Sequence, residues 1–117
     1  MRKARAPRRP AEIHAAGEQV FRFFPDGVVL DVLVKPAPGP EKGRAIATWL
    51  NRDSPLGGVH VARYDLRDGV VSFTTRSHFL DGAVEARGTW RGGRLVLDLR
   101  EAGRTRTGVV FTRIWPA

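Results

Sequence analysis

The chain contains no cysteine, which excludes disulfide staples, thiolate zinc sites and cysteine nucleophiles together. It has no run of ~20 apolar residues, so a membrane-spanning helix is excluded. Arg8 and Arg9 form an arginine pair, but no apolar stretch of ~7–15 residues follows to make a twin-arginine export signal. A soluble and, by default, cytoplasmic protein is expected. No internal repeat is present. The glycine pairs Gly57-Gly58 and Gly92-Gly93 bound hairpins and precede no helix, so they are turn glycines and not a phosphate loop. The histidines His14, His60 and His78 lie at no metal-ligand spacing, so no metal or other cofactor is expected.

What is present is a 117-residue chain, 42% apolar and 27% charged, a length and balance that fit one globular domain. Its compositional outlier is a formal charge of +8, which raises nucleic acid, anionic lipid or an acidic protein as partners. That charge is concentrated. Arg2, Lys3, Arg5, Arg8 and Arg9 lie in the first ten residues with no acid among them, so this segment supplies +5 and the remainder +3. Pro7 and Pro10 oppose helix and strand there. Residues 1–17 are therefore assigned to a disordered basic arm able to contact nucleic acid or another anion, and residues 18–117 to the folded domain. A solubilising terminus without a partner is the competing role.

From Gln19 onward, short apolar runs alternate with turn signals. Val20–Phe24 and Val28–Lys35 flank Pro25-Asp26-Gly27, a hairpin in which Pro presets the first turn dihedral and Gly supplies the positive φ that closes it. In the second run Val28, Leu30, Val32 and Val34 form a dry face, and Val29, Asp31, Leu33 and Lys35 a mixed one. Residues 44–52 (RAIATWLNR) fit either a short helix or an irregular strand. Five further runs follow: Val59–Leu66, Val70–Thr75, Ala83–Trp90, Leu95–Arg100 and Thr107–Trp115. Turns every 8–12 residues between β-rich runs indicate an antiparallel meander. The expected fold is all-β: a single up-and-down meander closed into a small barrel of seven or eight strands, because closure removes the exposed sheet edges. A half-open sandwich is the alternative.

The hairpin motif Arg22-Phe23-Phe24-Pro25-Asp26-Gly27, followed later by Gly58 and the strand carrying Tyr64, resembles a known family. It is similar to the C-terminal, lipocalin-like (calycin-type) domain of F-box proteins that also carry tetratricopeptide repeats. Tyr64 arrives a residue or two later than the family's Gly-x-Tyr pattern places it. The chain has no F-box and no repeat region, so ubiquitin-ligase function does not carry over. The resemblance implies a barrel that binds something and does not catalyse.

Chemistry-bearing candidates are few. Arg113 shares a strand face with Val109, Phe111 and Trp115. If that face is interior, an unpaired guanidinium there costs several kcal/mol. Arg113 then either receives a ligand carboxylate with Tyr64 or Arg76, an arrangement that resembles fatty-acid-binding barrels, or stacks on Trp90 or Trp49 to close the barrel end. With the opposite facing it sits in solvent. His60 shares a face with Ala62, Tyr64 and Leu66 and is a further ligand-binding candidate, or a hydrogen-bonded wall residue. Ser72 or Ser77 with His78 lacks a nucleophile elbow, so no catalytic residues are assigned. The leading function is a non-enzymatic barrel binding a small apolar or amphipathic, acidic ligand through Arg113, Tyr64, Arg76 and His60. The alternative is a protein- or nucleic-acid-interaction module using the basic arm. A third option, an isomerase or cyclase, would use His60 and Tyr64 as its titratable pair.

Overall fold

The computed structural model describes residues 11–53 and 57–117. Eight strands run in order β1 (Glu12–Ala16), β2 (Gln19–Phe23), β3 (Val28–Leu33), β4 (His60–Arg67), β5 (Val70–Arg76), β6 (Ala83–Arg91), β7 (Arg94–Glu101) and β8 (Arg104–Trp115). Each pairs antiparallel with the next, and β1 pairs with β8, so the sheet is a closed up-and-down barrel and not a half-open sandwich. Closure satisfies every strand edge internally.

Of the two alternatives for residues 44–52 the structure takes the helix: Gly43–Trp49 form α1, which follows a 3₁₀ turn at Pro40–Lys42. The eighth strand is β1, which lies within the stretch assigned to the basic arm, so the barrel begins upstream of residue 18. Its five residues carry little β signal of their own. They are held by pairing with β2 on one side and β8 on the other. The arm's five basic residues lie outside the described residues.

Turn chemistry fixes the rest as expected. Phe24 N–H donates to Val28 O at 2.8 Å and Gly27 N–H to Phe24 O at 3.0 Å, with Gly27 at φ 96°. Asp68 and Gly69 both adopt positive φ between the paired residues Arg67 and Val70, the two-residue turn whose twist matches a hairpin. On the outer face Glu85 is registered with Arg100 and Arg87 with Asp98, opposite charges worth about 0.2–1 kcal/mol per pair.

The apolar residues form two cores. Inside the barrel lie Phe21, Phe23, Val29, Val71, Phe73, Ala86, Trp90, Leu95, Leu97, Leu99 and Phe111. Outside it, α1 lays Ile46 and Leu50 on Ile13, Val20, Val28, Leu30, Val32 and Ile114. The dry face of β3 thus points away from the barrel, toward α1, and the mixed face with Asp31 lines the interior. Arg22 ties the helix down. Its Nη1 donates to Ala47 O at 3.0 Å and Leu50 O at 2.6 Å, and its guanidinium lies over the Phe24 ring. Burial draws its pKa below the ordinary guanidinium value, while the helix's C-terminal carbonyls gain a charged donor. Gly43 permits this packing, since a Cβ there would overlap the Ile114 carbonyl oxygen.

Candidate functional site

The two ends of the barrel are built differently. At one end, under the β2–β3, β4–β5 and β6–β7 turns, Trp90 closes the interior against Phe23, His14 and Tyr64, with ring centroids 4.8–6.1 Å apart. At the other, between the β1–β2, β5–β6 and β7–β8 turns, the lining turns polar. Here the inward positions of β3, β4 and β5 carry Asp31, His60 and Thr75.

Asp31 is fully buried. Its Oδ2 accepts from Thr75 Oγ1 at 2.9 Å, and its Oδ1 bonds His78 Nε2 at 2.9 Å and lies 3.5 Å from Gln19 Nε2. His60 Nδ1 stands 4.0 Å from Asp31 Oδ2 and 3.1 Å from the Arg76 carbonyl. A carbonyl only accepts, so Nδ1 carries the proton in that bond. The His60 and His78 rings stack at 4.3 Å with an interplanar angle of 13°. His78 reaches the mouth because the loop after β5 is pinned. Ser77 N–H donates to Gly82 O at 3.1 Å, and Ser77 Oγ accepts from the N–H groups of Phe79 and Leu80, a hydroxyl-stabilised turn. One donor atom from each of Asp31, His60 and His78 lies within 4.8 Å of the other two, a constellation that could hold a metal ion.

Beside this cluster is a pocket of about 190 Å³ lined by Gln19, Leu33, Arg76, His78, Glu101 and Arg106 among others. Arg106 Nη2 donates to Gln19 Oε1 at 3.3 Å. Glu101 Oε2 is buried and has no hydrogen-bond partner among the described residues. A larger depression of about 430 Å³ lies on the outer wall, lined by Arg63, Ser72, Thr74, Glu85 and Arg87. Most of its polar groups stand in solvent, so the mouth, where polar groups are buried, is the better candidate.

The residues expected from sequence do not form one site. His60 and Arg76 are at the mouth. Tyr64 is at the closed end, where its hydroxyl donates to Phe24 O at 2.7 Å beside Phe23 and Trp90. His60 and Tyr64 therefore belong to opposite clusters. Arg113 is exposed near the closed end. Its N–H donates to Gly93 O at 3.0 Å and its charge contributes to lowering the His14 pKa. Arg113 shares the Phe111 face of β8 but lies at the rim, where it reaches water, and Ile114 on the opposite face joins the outer core.

His14 is buried against Phe23 and Trp90, and desolvation holds its pKa below the ordinary histidine value despite a 3.0 Å bond to Glu12. The histidines have no ligand spacing along the chain, and it is the fold that brings His60 and His78 together beside Asp31. Nothing in the sequence pattern marks Asp31 or Thr75 as a site residue on its own. The available signal was one acid in the otherwise apolar run Val28–Leu33.

Comparison with known protein families, curated proteins and solved structures finds no match to this chain. The closed eight-stranded antiparallel barrel is compatible with a lipocalin-like fold. Among the described residues no helix is long and apolar enough to cross a membrane.

Proposed function

We propose that the chain is a non-enzymatic binding barrel whose ligand is a small amphipathic acid seated in the mouth. The observation that carries this is the fully buried Asp31 with its stacked histidine partners beside a polar pocket, at the open end of an otherwise filled barrel. The barrel centre is occupied by Phe21, Phe73, Leu97 and Phe111, so a long alkyl chain in the fatty-acid manner has no support. A pocket of about 190 Å³ falls below the roughly 300 Å³ at which drug-sized sites begin, which points to a metabolite-sized ligand. Arg76 and Arg106 offer two guanidinium groups for its carboxylate, and Leu33, Val84 and Phe79 offer apolar contact.

The test is an NMR titration of the intact protein with small carboxylic acids in the presence of a chelator. Shifts should concentrate on Gln19, His78 and Arg106, and Arg76→Gln with Arg106→Gln should weaken binding about tenfold or more. Shifts confined to Trp90 and Tyr64, or unchanged binding in the double variant, would sink the proposal.

A second reading rests on the +5 carried by residues 1–10: the arm contacts nucleic acid or an acidic protein. Binding to a DNA or RNA oligomer should then fall steeply with salt and disappear on deletion of Met1–Pro10. Salt-insensitive binding, or binding retained after deletion, counts against it.

A further inference from the structure

We infer that Asp31, His60 and His78 form a binding site for a late first-row divalent cation of the zinc and ferrous class, through one carboxylate oxygen and two imidazole nitrogens. The inference does not depend on the pocket's accepting an organic acid. Three independent features of the mouth carry it.

The first is geometry. The three side chains come from β3, β4 and the loop after β5, yet a donor atom of each lies within 4.8 Å of the other two. Ligands on one tetrahedral ion with bonds of about 2.1 Å stand roughly 3.4 Å apart, so the widest pair needs to close by about 1.4 Å. The closest contact, His78 Nε2 to Asp31 Oδ1 at 2.9 Å, is already inside that span. The remaining gap lies toward His60, whose ring stacks on that of His78, so both nitrogen lone pairs reach one ion only when the two rings rotate out of that stack.

The second is the position of the carboxylate. Asp31 has no exposed surface, and its partners are the hydroxyl of Thr75, the amide of Gln19 and the His78 ring. None of these brings a permanent positive charge. Buried carboxylates are stable when paired with a cation or bound to a metal, and the group facing Asp31 in addition to His78 is a second imidazole. Thr75 then holds the carboxylate in place, the role outer partners play around metal ligands.

The third is the donor set. Two imidazoles and one carboxylate suit zinc, iron, cobalt or nickel. Magnesium and calcium prefer oxygen throughout. Three protein ligands also leave at least one coordination position for an outside molecule. His78 belongs both to this set and to the pocket lining, so an exchangeable position would lie next to the pocket.

The experiment uses the full chain, stripped with chelator and titrated with Zn²⁺ by calorimetry and with Co²⁺ by visible absorption. One equivalent should bind, and Co²⁺ should give ligand-field bands of a nitrogen–oxygen site. His60→Ala and His78→Ala should each weaken binding by about 100-fold or more, and Mg²⁺ at the same concentration should not compete. His14→Gln, at the closed end, should leave both readouts unchanged.

Circular dichroism of each variant separates loss of the site from loss of the fold. If Asp31→Asn unfolds, the two histidine variants at the mouth decide the matter. Failure of the wild type to take up metal, retention of affinity to within about threefold in both histidine variants, or an equal loss in His14→Gln would overturn the inference. Because the acid titration is run in chelator, its outcome is independent of this one.

Discussion

The two ends of the barrel are made by the same strands, on the same inward faces, and differ only in which residues occupy successive inward positions. Along β4 these are His60 at the mouth, then Ala62, then Tyr64 toward the closed end. Along β5 they are Thr75, Phe73 and Val71, and along β6 Val84, Ala86, Gly88 and Trp90. At the closed end large rings meet edge to face and the interior is dry. At the mouth a buried carboxylate bonds a hydroxyl and one imidazole, and a second imidazole stacks on the first. The difference teaches that one half of this barrel is a folding core, whose side chains are chosen for volume, and the other a polar device. A buried acid at the mouth adds little to a core, since apolar residues of like volume serve stability as well or better.

The sharpest way to separate the halves is to remove a ring from the filled one. Phe21 has no exposed surface and contacts Phe23, Phe73 and Phe111, so Phe21→Ala should cost about 3–5 kcal/mol in a urea melt. A cost under about 1 kcal/mol would mean that the interior is loosely packed and open to ligands.

Asp31→Asn keeps the volume and an acceptor for Thr75, and should cost about 1–2 kcal/mol, clearly less than Phe21→Ala. It should nonetheless abolish metal uptake at the mouth. If its cost matched that of Phe21→Ala, the mouth would be a structural network and the division between the halves would fail.

The smallest expected effect concerns His14, the buried imidazole in the dry half. Burial lowers the His14 pKa in the fold, so the unfolded chain takes up this proton more readily than the native one. The stability this ring contributes is fully present above pH ~6.5 and declines as pH falls below that value toward the depressed folded pKa. The urea midpoint of the wild type should therefore drop between pH 7.5 and pH 5 by more than that of His14→Gln. Parallel pH profiles would show that His14 is solvated and that the closed end is not dry.

Much of the fold was legible because its determinants are local. Pro25-Asp26-Gly27 and Asp68-Gly69 set hairpin turns from a few residues each, and the alternating leucines of β7 marked their own inward face. β1 was not legible. Its five residues carry one strong β-former, Ile13, and its place in the sheet comes from β2 and β8. Helix α1 was ambiguous because Ile46, Trp49 and Leu50 suit a buried face in either conformation, and the surface they cover belongs to distant strands. Of the candidate site, His60 was legible as an inward residue of β4 and Arg76 only as a basic residue at the end of β5. Asp31 and His78 were not, since nothing local says that β3 and the loop after β5 meet around β4.

The sequence by itself determined an all-β meander with a compact, nearly charge-balanced body and a basic first segment, because turn residues and period-two alternation act over a few positions. It left undecided which face of β3 lies inside. With α1 covering the outer surface both faces are dry, and only closure of the sheet turned Asp31 inward. Tertiary structure alone also separated His60 from Tyr64, put Arg113 in solvent, and brought Asp31, His60 and His78 together. Strand registry across a closed barrel makes neighbours of residues that no pattern along the chain connects.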